Sequence, residues 1–184
     1  RHFRERAARE GLAVLEAHAD SDDAFAAEVA GASAITVIDR KIGASVIRKL
    51  ERCELISTLS VGYDCVDVEA ATARGIPVSN TPAYCTDEVA DHTLAFILAA
   101  ARQVVPHTVG IRAGAWRLAV PLAEMRTLRD MTVGIIGFGR IGREVAARLA
   151  PFKCRTAVHD PAVPPSEVRK LGGEPMALDC PPCG

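Results

Sequence analysis

The sequence predicts an α/β fold in two units, each built around a parallel sheet. Short apolar, β-branched runs alternate with helical stretches along residues 12–80, at a spacing that suits strands covered by helices on both faces. The alternation pauses at one long helical stretch and resumes after Met131. The first unit therefore spans residues 1–85. Residues 86–184 hold a linking helix and the start of the second unit.

Taken in order, RHFRERAARE reads as the tail of a helix stopped by Gly11, and Leu12–Ala19 as a strand. Ser21, Asp22 and Asp23 can cap a helix that runs to Ala30. Ser33–Asp39 is a buried strand, Ala44–Arg52 a helix, and Cys53–Ser60 a strand that opens into the loop VGYDCVD. Val68–Arg74 is helical, with Ile76–Asn80 the strand after it. The long helix Thr86–Gln103 takes its cap from Thr86, and Asp87 and Glu88 suit its positive end. A loose region with Pro106, Gly110, Gly114 and Pro121 follows. Strand Thr132–Ile136, helix Ile141–Leu149 and strand Arg155–His159 complete the elements, and PAVPPSEV and CPPCG read only as proline-rich.

Composition excludes several classes. Hydrophobic residues make up 49%, charged residues 24%, and the formal net charge is -1, which offers nothing to a nucleic acid. No apolar run approaches the roughly 18 residues of a membrane span, and the charged N-terminus does not read as a signal peptide. Six scattered cysteines suit reduced thiols in the cytoplasm better than a disulfide scaffold. Cys180 and Cys183 form a C-x-x-C without a matching half, so no metal site is expected.

Gly137-Phe138-Gly139-Arg140-Ile141-Gly142 fits the G-x-G-x-x-G pattern between an apolar strand and an amphipathic helix. The first glycine permits the tight turn, the second lets backbone approach a pyrophosphate, and the third lets helix pack on strand. Free N–H groups at the helix start then face the phosphates. Asp160 ends the next strand 18 positions after Gly142, close to the roughly 20 expected of a ribose-binding carboxylate. A packing turn without a ligand is the alternative, but the placed aspartate argues for a dinucleotide. The Asp160 carboxylate favours NAD by repelling a 2′-phosphate, while Arg155 and His159 keep NADP open.

Several blocks ahead of that turn carry a resemblance. They are Ser60-Val61-Gly62-Tyr63-Asp64-Cys65-Val66-Asp67, Gly75-Ile76-Pro77-Val78-Ser79-Asn80-Thr81-Pro82, Glu88-Val89-Ala90-Asp91-His92 and Ala101-Arg102. In this order the sequence resembles the D-isomer-specific 2-hydroxyacid dehydrogenases, the family of phosphoglycerate, glycerate and formate dehydrogenases, from about Arg1 to Asp179. Tyr84 to His92 is most similar to its bacterial branch resembling the C-terminal-binding proteins. The resemblance implies a flavodoxin-like substrate domain, a doubly wound Rossmann domain and a cleft between them. It places Ser60, Val61 and Gly62 at the substrate carboxylate and His92 near the cofactor. It also implies a small 2-hydroxyacid or 2-oxoacid substrate and a homodimer formed through the Rossmann domain. Physically, Gly62 after a strand lets a small anion approach main-chain N–H groups, with a plain packing turn as the less favoured alternative. Arg40, after the strand ending at Asp39, could reach the same place or lie on the surface.

The family's catalytic arginine, glutamate and histidine lie well downstream of the ribose aspartate, and the sequence runs only 24 residues past Asp160. No catalytic residue is assigned, since His92 beside Asp91 cannot form a dyad from adjacent helical positions. Only two strands follow Met131, where a Rossmann sheet needs six, so the domain is expected to be incomplete. The substrate domain is expected to lack its first strand. A truncated dehydrogenase is the leading expectation. An NAD(H)-sensing co-regulator, or a dinucleotide-binding module without catalysis, is the alternative.

Overall fold

The computed structural model of the chain describes residues 2–178. The Cys180–Cys183 motif and the rest of the CPPCG tail lie outside the described residues. The chain divides into two compact units between Tyr84 and Cys85, and each has its own apolar core.

The first unit runs α1 (His2–Arg9), α2 (Asp22–Val29), β1 (Ala34–Val37), α3 (Ala44–Ile47), β2 (Leu55–Thr58), α4 (Val68–Ala73) and β3 (Val78–Ser79). Its strands form a parallel sheet in the order β1-β2-β3, with Ala34 beside Leu55 and Ile56 beside Val78. Ser21 caps α2 as its composition predicts, its hydroxyl accepting from the Ala24 N–H at 3.2 Å. Ile35, Val37, Ile42, Val46, Ile47, Leu50 and Ile56 fill the core, where each fully buried branched chain is worth about 1.5–3 kcal/mol.

One expected strand is not formed. Leu12–Ala19 joins no ladder, and Leu12 and Leu15 stay exposed. In the flavodoxin order 2-1-3-4-5 another strand separates this segment from the next one in sequence. The described residues supply none, so the alternating pattern of Leu12–Ala19 has no partner to pair with. Several other elements are shorter than their apolar runs suggested: α3 stops at Ile47 and β3 keeps two residues.

The second unit runs α5 (Thr86–Ala101), α6 (Val104–Arg112), two short 3₁₀ turns, β4 (Thr132–Ile136), α7 (Arg140–Leu149), a 3₁₀ turn, β5 (Arg155–His159), α8 (Pro165–Lys170) and β6 (Glu174–Pro175). The sheet is parallel in the order β4-β5-β6, with Thr132 beside Arg155, Ile136 beside His159 and Ala157 beside Glu174. This is the 3-2-1 half of a doubly wound sheet. Among the described residues the outer edge of β4 is unpaired, and Ile136 is 76% exposed. A continuous apolar run such as TVGII is the signature of a strand buried on both faces, so β4 has central-strand chemistry at an edge.

Three elements here correct the sequence reading. The loose region contains α6: left-handed Gln103 (φ 54°) ends the long helix, and a new one starts at Val104. Pro106 falls in its first turn, where a missing N–H costs nothing. The proline-rich stretch contains α8, with Pro165 at the favoured first helical position. Glu174–Pro175 adds β6, a third strand after Met131, where proline is tolerated on an outer strand. At the start of α5, Cys85 rather than Thr86 holds the capping position, and no side chain closes that cap. No single helix among the described residues is long and apolar enough to cross a membrane.

Candidate functional site

The glycine turn joins β4 to α7. Gly137 adopts φ +92°, which opens the turn, and its N–H donates to the His159 carbonyl at 2.8 Å. A Cβ on Gly142 would lie 2.1 Å from the Gly137 carbonyl oxygen, so the third glycine permits α7 to start directly against the turn. A Cβ on Gly139 would meet nothing within 4 Å, which leaves open space above the turn. Among the described residues the N–H groups of Gly139, Arg140, Ile141 and Gly142 donate to no protein acceptor. They supply the partial positive charge of a helix start to whatever anion enters that space.

Asp160 is bound into the same turn. One carboxylate oxygen accepts from the Phe138 N–H at 2.6 Å and the other from the Ala162 N–H at 2.8 Å. Those hydrogen bonds, Phe138 first, hold its pKa below the usual carboxylate value. Each oxygen retains lone-pair capacity for an outside donor such as a ribose hydroxyl. The Phe138 side chain is fully buried in the core, so only its backbone belongs to the site surface.

Two cavities flank the turn. One of about 300 Å³ is lined by Thr93 and Ile97 of α5, residues 133–137, and Ile141, Gly142 and Val145. Another of about 450 Å³ lies beyond Asp160, between the end of β5, α8 and Met176. Its walls are mostly apolar (Val158, Val163, Pro165, Val168), with Asp160 at the margin. These walls went unread in the sequence, and the prolines after Asp160 were their only local sign.

His92 does not line the cavity beside the turn. It is exposed on α5 with its ring 4.4 Å from Phe96, edge to face, while its neighbour Thr93 faces the cavity. Arg155 lies at the far end of β5 from Asp160 and pairs with Glu174 at 2.6 Å. His159 contacts the Met176 carbonyl through Nδ1 at 3.0 Å.

In the first unit, Ser60, Val61 and Gly62 form the turn after β2. The Ser60 hydroxyl donates to the Gly62 carbonyl at 2.7 Å, and the Asn80 amide donates to the Val61 carbonyl at 2.7 Å. Among the described residues the Val61 and Gly62 N–H groups find no protein acceptor, and both residues are exposed. The Asp64 carboxylate lies close by, 3.3 Å from where a Gly62 Cβ would stand. Arg40 does not reach this turn. It donates to the Ala19 and Ser21 carbonyls and stacks 3.9 Å over the Phe25 ring, so it serves the structure of residues 19–25. No cluster of three or more His, Cys, Asp or Glu side chains suited to a metal occurs among the described residues.

A parallel strand, a glycine turn with free amides, a helix and an acid on the next strand define a nucleotide-binding α/β protein. Comparison with known proteins narrows this: the family model "D-isomer specific 2-hydroxyacid dehydrogenase, catalytic domain" matches residues 3–164, and the chain belongs to that family. D-3-phosphoglycerate dehydrogenase of Mycobacterium leprae is 38% identical over 138 residues, covering 75% of this chain and 26% of the relative. Glyoxylate reductase of Pyrococcus furiosus is 35% identical over 150 residues, covering 79% and 45%. Among solved structures, the TT0316 protein of Thermus thermophilus superposes with TM-score 0.81 at 33% identity, over 97% of this chain and 57% of that one. D-lactate dehydrogenase of Aquifex aeolicus, complexed with NAD and lactic acid, gives TM-score 0.80 at 26% identity, over 97% and 53%. The chain thus spans under half the length of these curated relatives and a little over half of the solved ones.

Proposed function

We propose that this chain carries the cofactor half-site and part of the substrate site of an NAD-dependent dehydrogenase acting on the CH–OH group of a D-2-hydroxyacid. Residues 1–85 form the substrate unit and 86–184 the linking helix and cofactor unit. The observation that carries the reading is the row of unanswered amides from Gly139 to Gly142, set beside the Asp160 carboxylate. The residues present fit a dinucleotide: the open space over Gly139 admits a pyrophosphate, the amides bind it, and Asp160 accepts from the adenosine ribose. Gly137, Phe138, Arg140 and Ile141 shape the turn, Phe138 through its backbone alone. The cavity beyond Asp160 offers apolar walls to the adenine ring. His92 keeps only the place on α5 that the family resemblance gives it.

A bound nicotinamide cofactor would supply the hydride acceptor for the substrate's CH–OH carbon. The chain's own contribution is to bind and orient. The Val61 and Gly62 amides hold the carboxylate of the 2-hydroxyacid or 2-oxoacid, and Asn80 and Ser60 fix the turn that presents them. The full reaction is assigned to a polypeptide of the relatives' length. That enzyme assembles as a homodimer through the second unit, where α6 has no buried residue and Trp116 is 92% exposed.

The test is calorimetry of NAD with the purified 184-residue chain and with Asp160→Ala. Saturable binding weakened roughly tenfold or more in the variant is expected, the cost of losing hydrogen bonds to a charged acceptor. Absence of saturable binding by a chain that unfolds cooperatively would overturn the reading.

A further inference from the structure

Arg143 lies on the first turn of α7, and no role in the reading above uses it. Its Nε donates to the Phe138 carbonyl at 2.9 Å, and its Nη1 donates to Glu167 Oε1 at 2.6 Å. The guanidinium also stands 5.7 Å from the centre of the buried Phe138 ring. Phe138 is the residue whose N–H binds Asp160. Glu167 opens α8, whose Pro165, Val168 and Arg169 form one wall of the 450 Å³ cavity beyond Asp160. One side chain thus joins the middle of the glycine turn to the far wall of that cavity.

We propose that Arg143 is a positioning residue for the adenosine end of the cofactor, acting with Glu167 as a tie that fixes α8 relative to the glycine turn. The inference rests on the dinucleotide reading of the turn. Two of the five Arg143 N–H donors are committed to Phe138 and Glu167, which hold the guanidinium between the glycine turn and α8, so it acts through the shape of the pocket. Its planar fork is what allows one side chain to serve a carbonyl and a carboxylate in fixed directions. α8 is only six residues long and opens with Pro164 as its cap and Pro165 as its first residue, so two backbone N–H donors are missing at its start. The Arg143–Glu167 pair supplies a side-chain anchor at its first turn.

The test measures ADP-ribose affinity and thermal unfolding for the unmodified chain, Arg143→Met, Glu167→Gln and the double variant. Each single variant is expected to weaken ADP-ribose roughly tenfold, the scale of a lost charge-assisted hydrogen bond. The double variant is expected to be no weaker than the worse single one, since both break one tie. Melting temperatures should stay near that of the unmodified chain. Glu167 is partly exposed, so Glu167→Gln keeps the inference testable should Arg143→Met fail to fold. Unchanged affinity in the folded variants overturns the tie alone, as do affinity losses that multiply in the double variant or track the melting temperature. An unmodified chain that does not bind ADP-ribose overturns the dinucleotide reading and the tie with it.

Discussion

Gly142 shows how narrowly single residues are specified. A methyl group there would stand 2.1 Å from the Gly137 carbonyl, which is backbone and cannot swing aside. Gly142→Ala is expected to cost about 1–3 kcal/mol, the usual penalty of overpacking, and to abolish NAD binding as α7 shifts off the turn. Urea denaturation and calorimetry would read the two effects separately. The places of Gly142 and Asp160 in the turn were legible in the sequence because the pattern fixes their spacing. Phe138 was less so, since the motif marks its position but not that its ring points into the core. Arg143 was invisible, because its carboxylate partner is 24 residues away and only the fold brings them together. The structural partners of Arg40 were not legible, because an arginine after a strand says nothing of which carbonyls it will meet.

Helices α5 and α7 share an apolar core, and a single guanidinium bridges them at the surface. Arg148 on α7 donates to Asp87 and Asp91 of α5 and to Glu144 of its own helix, each at 2.6 Å. Asp87, then Asp91 and Glu144, raise its pKa above the ordinary arginine value, so it stays charged throughout the working range. Asp87 and Asp91 are four residues apart and share one face of α5. Arg148→Met would leave the carboxylates facing one another. It is expected to lower the melting temperature by a few degrees, and the deficit should shrink in high salt as repulsion is screened. Differential scanning calorimetry at two salt concentrations checks it. The elements themselves were readable where a periodic run met a cap or a glycine. They were missed where helix starts depended on proline position, as in α6 and α8, and where a strand depended on its neighbour. Leu12–Ala19 has the pattern of a strand and no ladder to join; pattern proposes a strand, but pairing makes one.

Across the whole molecule, both parallel sheets and the family were legible, because several linked motifs occur in order on an alternating α/β background. The short strand β6 was not, since Glu174–Pro175 carries no strand pattern of its own and is defined only by its pairing with β5. The proposed homodimer makes a prediction at this scale. For a polypeptide of the relatives' length, sedimentation should show a species of twice its chain mass at high concentration, and Trp116→Glu should shift it to the monomer. Trp116 emission should move to shorter wavelength as the ring leaves water; emission independent of concentration would count against this surface. The edge of β4 that is unpaired among the described residues has a further consequence for handling the protein. An apolar, parallel edge with an exposed isoleucine is a template that any extended chain can copy. In concentrated solution or during refolding, the competition for this chain is between native association and edge-to-edge aggregation, and slow dilution favours the former.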